Sequence, residues 1–189
     1  MLTSMRAIML EPSPAFLEER RKKGWDRFDE VWDGVLHMVP PPTGFHQALN
    51  ARLLHVLFPH VEKRGMMIVQ DAGLFRREND YRQPDLAIFD PKFLCQRGID
   101  GHAELVVEIL SPNDESRDKL PFYAACKVNE LWLIEPTTRE IELYVLRNQT
   151  YFAVADQRGV LRSPLLDLAL QTVPGPKLRL SWDEGAAEV

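Results

Sequence analysis

The sequence is short of cysteine, of long apolar runs and of net positive charge, and each shortage removes a class of explanation. Only Cys95 and Cys126 are present. Neither has a neighbour at metal-binding spacing, so a disulfide framework and a cysteine-based zinc site are excluded and two reduced thiols are expected. No stretch approaches the roughly 18 consecutive apolar residues of a helical membrane span. The first residues also lack the charged, apolar and small-residue succession of a secretory signal, so a cytoplasmic protein without membrane attachment is expected. Lys and Arg number 23 against 28 Asp and Glu, a net charge of -5. That balance counts against strong non-specific binding to nucleic acid, which rests on Lys and Arg displacing counterions from phosphates. A local basic patch remains open, built from Arg76, Arg77 and Arg82 or from the run 20–23, although a charge run on a helix also reads as a solvated face.

What is present is an ordinary globular composition, 45% hydrophobic and 27% charged over 189 residues. There is no internal repeat, low-complexity tract or long linker, which implies a single domain over residues 13–182 with loose ends at 1–12 and 183–189. Residues 13–23 read as a charged helix with Ser13 as N-cap and Pro14 at its first position. Residues 30–39 read as a hairpin about Asp33-Gly34. A helix capped by Thr43 or Gly44 follows, with Leu49, Leu53 and Leu57 on one face, ending near Phe58 ahead of Pro59. Residues 66–75 are strand-like and 76–82 a polar connection. The short apolar runs 86–89 and 104–110 read as two central strands. A loop over 111–118 leads into a helix through Tyr123 and Cys126, near whose start Pro121 must lie. Strands over 131–134, 141–146 and 151–155 complete the pattern. Strand, helix and strand in this order imply a parallel crossover, hence a mixed sheet in an α/β fold.

The chemistry-bearing residues lie around the two central strands. If those strands are antiparallel neighbours with Phe89 opposite Glu104, stepping back along one and forward along the other brings Asp85 opposite Glu108. Opposed side chains share a face and stand about 4.5–5.5 Å apart. Two carboxylates so placed on apolar strands repel and lose hydration, unless a proton or a cation is taken up between them. A divalent metal resolves the conflict, and hard oxygen ligands favour Mg²⁺ or Mn²⁺ over zinc. Surface acids at strand ends are the plainer alternative, and a one-residue slip would send the two to opposite faces. Lys119, in the first turn of the following helix, opposes the helix macrodipole there, but its stem can reach back toward Glu108. A solvent-facing lysine is the plainer reading of that residue.

The succession Gln83-Pro84-Asp85-Leu86, then residues 104–112 (ELVVEILSP), then residues 117–123 (RDKLPFY), resembles the Uma-two family, assigned to restriction endonucleases within the PD-(D/E)XK superfamily. Residues 30–34 (EVWDG) with Pro42 and His46 upstream, and 128–136 downstream, extend the likeness over about residues 28–146. The resemblance implies a restriction-endonuclease-like fold, a central mixed sheet flanked by helices. It also implies metal binding by Asp85 and Glu108, catalysis by Lys119, completion of the site by Glu30, and the backbone carbonyl of Ile109 as a further metal ligand. The sequence departs from that pattern at Leu110, where the superfamily's lysine usually stands, so Lys119 is a migrated equivalent arriving from the helix. Lys127 stands where glycine is common and Glu135 where aspartate is common.

The function so implied is metal-dependent endonucleolytic hydrolysis of phosphodiester bonds in nucleic acid, DNA in particular, with Mg²⁺ as cofactor and Mn²⁺ as substitute. Glu30 is placed to hold Lys119 or a second metal. His46 is either a phosphate contact or a capping or core histidine, and the other four histidines show no ligand spacing. A homodimer is expected through strand edges at 141–146 and 151–155, unless residues 164–170 cover them. Two other readings stand beside this one: a catalytically inactive nucleic-acid-binding or partner-binding module on the same fold, and a hydrolase of smaller phosphate esters.

Overall fold

A computed structural model describes residues 7–111 and 115–189. Residues 1–6, and 112–114 within the expected loop over 111–118, lie outside the described residues. At its centre is a six-stranded sheet, in the order Thr150–Ala153, Ile141–Arg147, Glu130–Ile134, Leu105–Ile109, Leu86–Phe89, Met67–Gln70. Neighbours are antiparallel, except that Leu105–Ile109 and Glu130–Ile134 run parallel. The segment between that parallel pair supplies the crossover, with a 3-10 turn at Ser116–Lys119 followed by helix α3 at Leu120–Ala125 (α1 and α2 are given below).

Alternation along the strands builds two cores. Leu86, Ile88, Leu105, Val107, Trp132 and Ile134 face one way, against Leu49, Leu53, Leu57 and Val61 of helix α2 (Gly44–Glu62) and the leucines of a four-stranded sheet formed by residues 161–188. Ala87, Phe89, Val106, Leu131 and Leu133 face the other way, against Phe122 and Tyr123 of α3. The period of two thus sends Asp85 and Glu108 toward α3. A third sheet carries the hairpin Glu30–Trp32 and Val35–Met38, whose turn residues Asp33 and Gly34 both have positive φ, 46° and 91°, as a two-residue hairpin turn requires. Helix α1 spans Pro14–Lys23, with the Ser13 hydroxyl accepting from the Phe16 N–H. Among the described residues no helix is long and apolar enough to cross a membrane.

Several expectations need correction. Helix α2 does not stop before Pro59 but continues to Glu62, because Val61 extends its buried leucine stripe by one more turn and the Lys63 N–H closes onto the Pro59 carbonyl. Residues 66–75 form two strands rather than one, Met67–Gln70 and Gly73–Arg77, broken where Asp71 has φ of 52°. The polar connection contains a strand, Asp80–Arg82, antiparallel to Gly73–Arg77. Nor are the described parts of the ends loose. Ala7–Met9 pairs with Val35–Met38, and Gly185–Glu188 pairs with Lys177–Trp182, so that Val189 is buried. Finally, Arg76, Arg77 and Arg82 do not form a free basic patch. They are paired with Asp33 and Asp80, and Arg82 is buried.

Helix α3 ends in a closed turn, in which the Val128 N–H donates to the Tyr123 carbonyl and the Lys127 N–H to the Ala124 carbonyl. The residue after the helix takes the left-handed conformation, and here it is Lys127 with φ of 55°. Glycine occupies such a position without a Cβ penalty. The exposed Lys127→Gly substitution should therefore stabilise the fold by about 0.5–1 kcal/mol, the left-handed strain relieved less the extra freedom given to the unfolded chain. Thermal unfolding would check this as a rise in Tm, with unchanged or lowered Tm as the contrary result.

Candidate active site

The strand register places the two central acids together. Leu105 pairs with Ile88, Val106 with Ala87 and Val107 with Leu86, and Asp85 and Glu108 are the residues next beyond that last pair. The Asp85 carboxylate is further tied to the neighbouring strand's end, since its Oδ2 accepts the Ile109 N–H at 2.6 Å. Glu108 is enclosed. Its Oε1 accepts from Lys119 Nζ at 3.1 Å and from the hydroxyl of fully buried Tyr123. Lys119 also donates to Glu30 Oε1 at 2.8 Å. Glu30, buried on its hairpin strand, is held in turn by the Trp32 indole N–H at 2.8 Å and the Gln83 backbone N–H at 2.9 Å. Glu30, Asp85, Glu108 and Lys119 are thus gathered at one end of the two central strands.

Helix α2 enters from the other side of the sheet. Thr43 caps it, with its hydroxyl accepting the His46 N–H at 3.3 Å. That cap sets His46 on the same stripe as Leu49 and Leu53, pointing inward. Its Nε2 lies 3.0 Å from the Ile109 carbonyl oxygen and 3.3 Å from Asp85 Oδ1. One turn on, Asn50 donates to the Asp85 backbone carbonyl.

The electrostatics follow from two buried carboxylates, Glu30 and Glu108, sharing the Lys119 ammonium, with Asp85 close by and paired to His46. Burial above all, joined by the charges of Asp85 and Glu30 and opposed by Lys119, leaves the Glu108 carboxyl raised to about 7. Burial would lower the Lys119 ammonium, but Glu108 and Glu30 outweigh it and hold the amine protonated well above its ordinary range. Burial, then the Glu108 charge, raises the Tyr123 phenol, which stays a donor. His46 is lowered by burial and raised by more through its hydrogen bond to Asp85 and the charge there. Asp71, whose N–H donates to the Asp85 carbonyl, is raised by its own burial and by the Asp85 charge. A cleft of about 520 Å³ has Asp71, Tyr81 and Gln83 among its walls, but none of Glu30, Asp85, Glu108, Lys119 and His46 lines it.

Negative charge therefore exceeds positive at this end of the sheet, and the donors are carboxylate and carbonyl oxygens, a set that suits a hard divalent cation. Among the described residues no three His, Cys, Asp or Glu side chains converge on one point as they stand, because Glu108 is turned to Lys119 and Tyr123. Asp85, Glu108, Lys119, Glu30, Ile109 and His46 are brought together. Sequence reasoning missed Tyr123, Trp32 and Asn50. Each stands at same-face spacing from a residue already singled out: four after Lys119, two after Glu30 on a strand, and four after His46.

Comparison with known proteins bears on the fold and the family. A search of curated proteins gave no match. A crystal structure titled as "a putative nuclease belonging to DUF820" from Anabaena variabilis superposes with a TM-score of 0.58 at 19% identity, covering 74% of this chain and 83% of that one. The likeness supports the restriction-endonuclease-like fold expected from the sequence. The family model described as "Uma2: Putative restriction endonuclease" matches residues 18–174, and the chain belongs to that family.

Proposed function

We propose that this protein is a metal-dependent nuclease that hydrolyses phosphodiester bonds, with DNA as its substrate. The observation that carries the reading is the Lys119 ammonium bridging Glu30 and Glu108 beside Asp85, an excess of buried carboxylate that one ammonium does not neutralise. The nuclease descriptions attached to the family and to the Anabaena protein point the same way. Asp85, Glu108 and the Ile109 carbonyl would hold a divalent cation. When bound, such a cation supplies a Lewis acid for a phosphoryl oxygen and lowers the pKa of a water. The chain's own contribution is positional. Glu30, steadied by Trp32 and Gln83, aims Lys119 at the site, where the ammonium can meet charge developing on a phosphate. Tyr123 orients Glu108 and remains protonated while doing so.

A non-catalytic binding module is the second reading. It is favoured by one observation, that Glu108 is engaged by Lys119 and Tyr123 rather than facing a shared metal point.

Incubation of supercoiled plasmid with purified protein in Mg²⁺ or Mn²⁺ separates the two. Nicking by the wild type that falls by about 100-fold or more in Asp85→Ala and in Lys119→Ala is expected of the enzyme, from the loss of a preorganised charge. Equal nicking in both variants, or DNA binding without cleavage by the wild type, would refute it.

A pH dependence follows as well. Below about 7 the Glu108 carboxyl holds a proton that a cation must displace, so Mg²⁺ affinity should fall as pH drops through that value and level off above it. Calorimetric titration in buffers of different ionisation enthalpy should show close to one proton released at pH ~6 and few at pH ~8. Proton release independent of pH would contradict the assignment.

A further inference from the structure

The histidine at the start of helix α2 is engaged through one ring nitrogen only. His46 is 6% exposed, its Nε2 reaches the Ile109 carbonyl at 3.0 Å and Asp85 Oδ1 at 3.3 Å, and its Nδ1 is buried with no hydrogen-bond partner. Neither plain role for such a residue fits. The helix cap is supplied by Thr43, not by the imidazole. A histidine placed for the core alone has no need of a carboxylate and a backbone carbonyl converging on one ring nitrogen. Instead the ring is positioned through Nε2, and the two oxygens it meets are two of the three assigned above to a cation.

We infer that His46 is itself a ligand of the divalent cation, so that the site presents an imidazole nitrogen together with the Asp85 carboxylate and the Ile109 carbonyl. The inference rests on the metal reading of the site and adds a donor to it. The Nε2 proton now lies between two oxygens, and a cation taking its place would meet the same two oxygens and the nitrogen lone pair. Asn50 on the next turn donates to the Asp85 backbone carbonyl, which fixes the helix and the acid relative to each other. A nitrogen donor among oxygens has a consequence for metal choice. Mg²⁺ takes oxygen ligands and keeps its waters, whereas first-row transition ions accept imidazole, so the site should prefer Mn²⁺.

Pulsed electron paramagnetic resonance on the full chain loaded with Mn²⁺, without nucleic acid, reads the ligand directly. Modulation from a directly coordinated ¹⁴N is expected in the wild type and should vanish in His46→Gln, the other four histidines being unchanged in that variant. In competition titrations His46→Gln should weaken Mn²⁺ binding by about tenfold or more while changing Mg²⁺ binding by less. His46→Asn provides a second variant, and far-ultraviolet circular dichroism with thermal unfolding identifies which variants keep the fold. Asp85-dependent Mn²⁺ binding without ¹⁴N modulation would overturn the histidine assignment and leave the metal site standing, as would equal weakening of both metals. Absence of any saturable, Asp85-dependent binding of either ion would overturn the metal site and this inference together.

Discussion

The site depends on one ammonium shared between two buried carboxylates. Lys119 holds Glu30 from the hairpin and Glu108 from the central sheet at the same time, and so joins two sheets that share no strand pairing among the described residues. An unpaired charge at that depth would cost several kcal/mol in desolvation, so the three groups are held in register by the cost of separating them. Asp85 enlarges the negative side of the balance without a lysine of its own. The result is a cluster in which three carboxylates face one lysine.

That imbalance is most consistently read as a binding device. A fully neutralised network would be a structural ion pair and nothing more. Here the surplus lies where strand ends and the start of a long helix meet, with the His46 imidazole reaching both the Ile109 carbonyl and Asp85. Three basic residues that could track a phosphate backbone, Arg76, Arg77 and Arg82, are meanwhile engaged in ion pairs with Asp33 and Asp80. Affinity for a polyanion is then expected to come from the loaded site more than from the surrounding surface, in keeping with a net charge of -5.

Much of this was legible in the sequence, for reasons that are local. The short apolar runs 86–89 and 104–110 called for two buried strands, and the antiparallel register expected from Phe89 and Glu104 is the one that pairs Leu86 with Val107. Ser13, Asp33-Gly34 and Thr43 marked their turns and caps because capping and turn chemistry act over three or four residues. Long-range packing was less readable. Proline argued for a helix end at Pro59, yet burial of Leu57 and Val61 against the sheet carried α2 past it. The tails looked unanchored because their partners, Val35–Met38 and Lys177–Trp182, leave no mark in the tails' own composition. Pairing of the arginines with Asp33 and Asp80 was likewise invisible until the hairpin and the strand Asp80–Arg82 were seen side by side.

We propose that Asp85, Glu108 and the Ile109 carbonyl surround one divalent cation. Anomalous diffraction from a crystal soaked in Mn²⁺ tests it most directly. The account predicts a single strong peak within about 2.0–2.6 Å of an Asp85 carboxylate oxygen and the Ile109 carbonyl oxygen, with Glu108 drawn toward it. A soaked crystal with no peak there, and Glu108 still bonded to Lys119 and Tyr123, would contradict it.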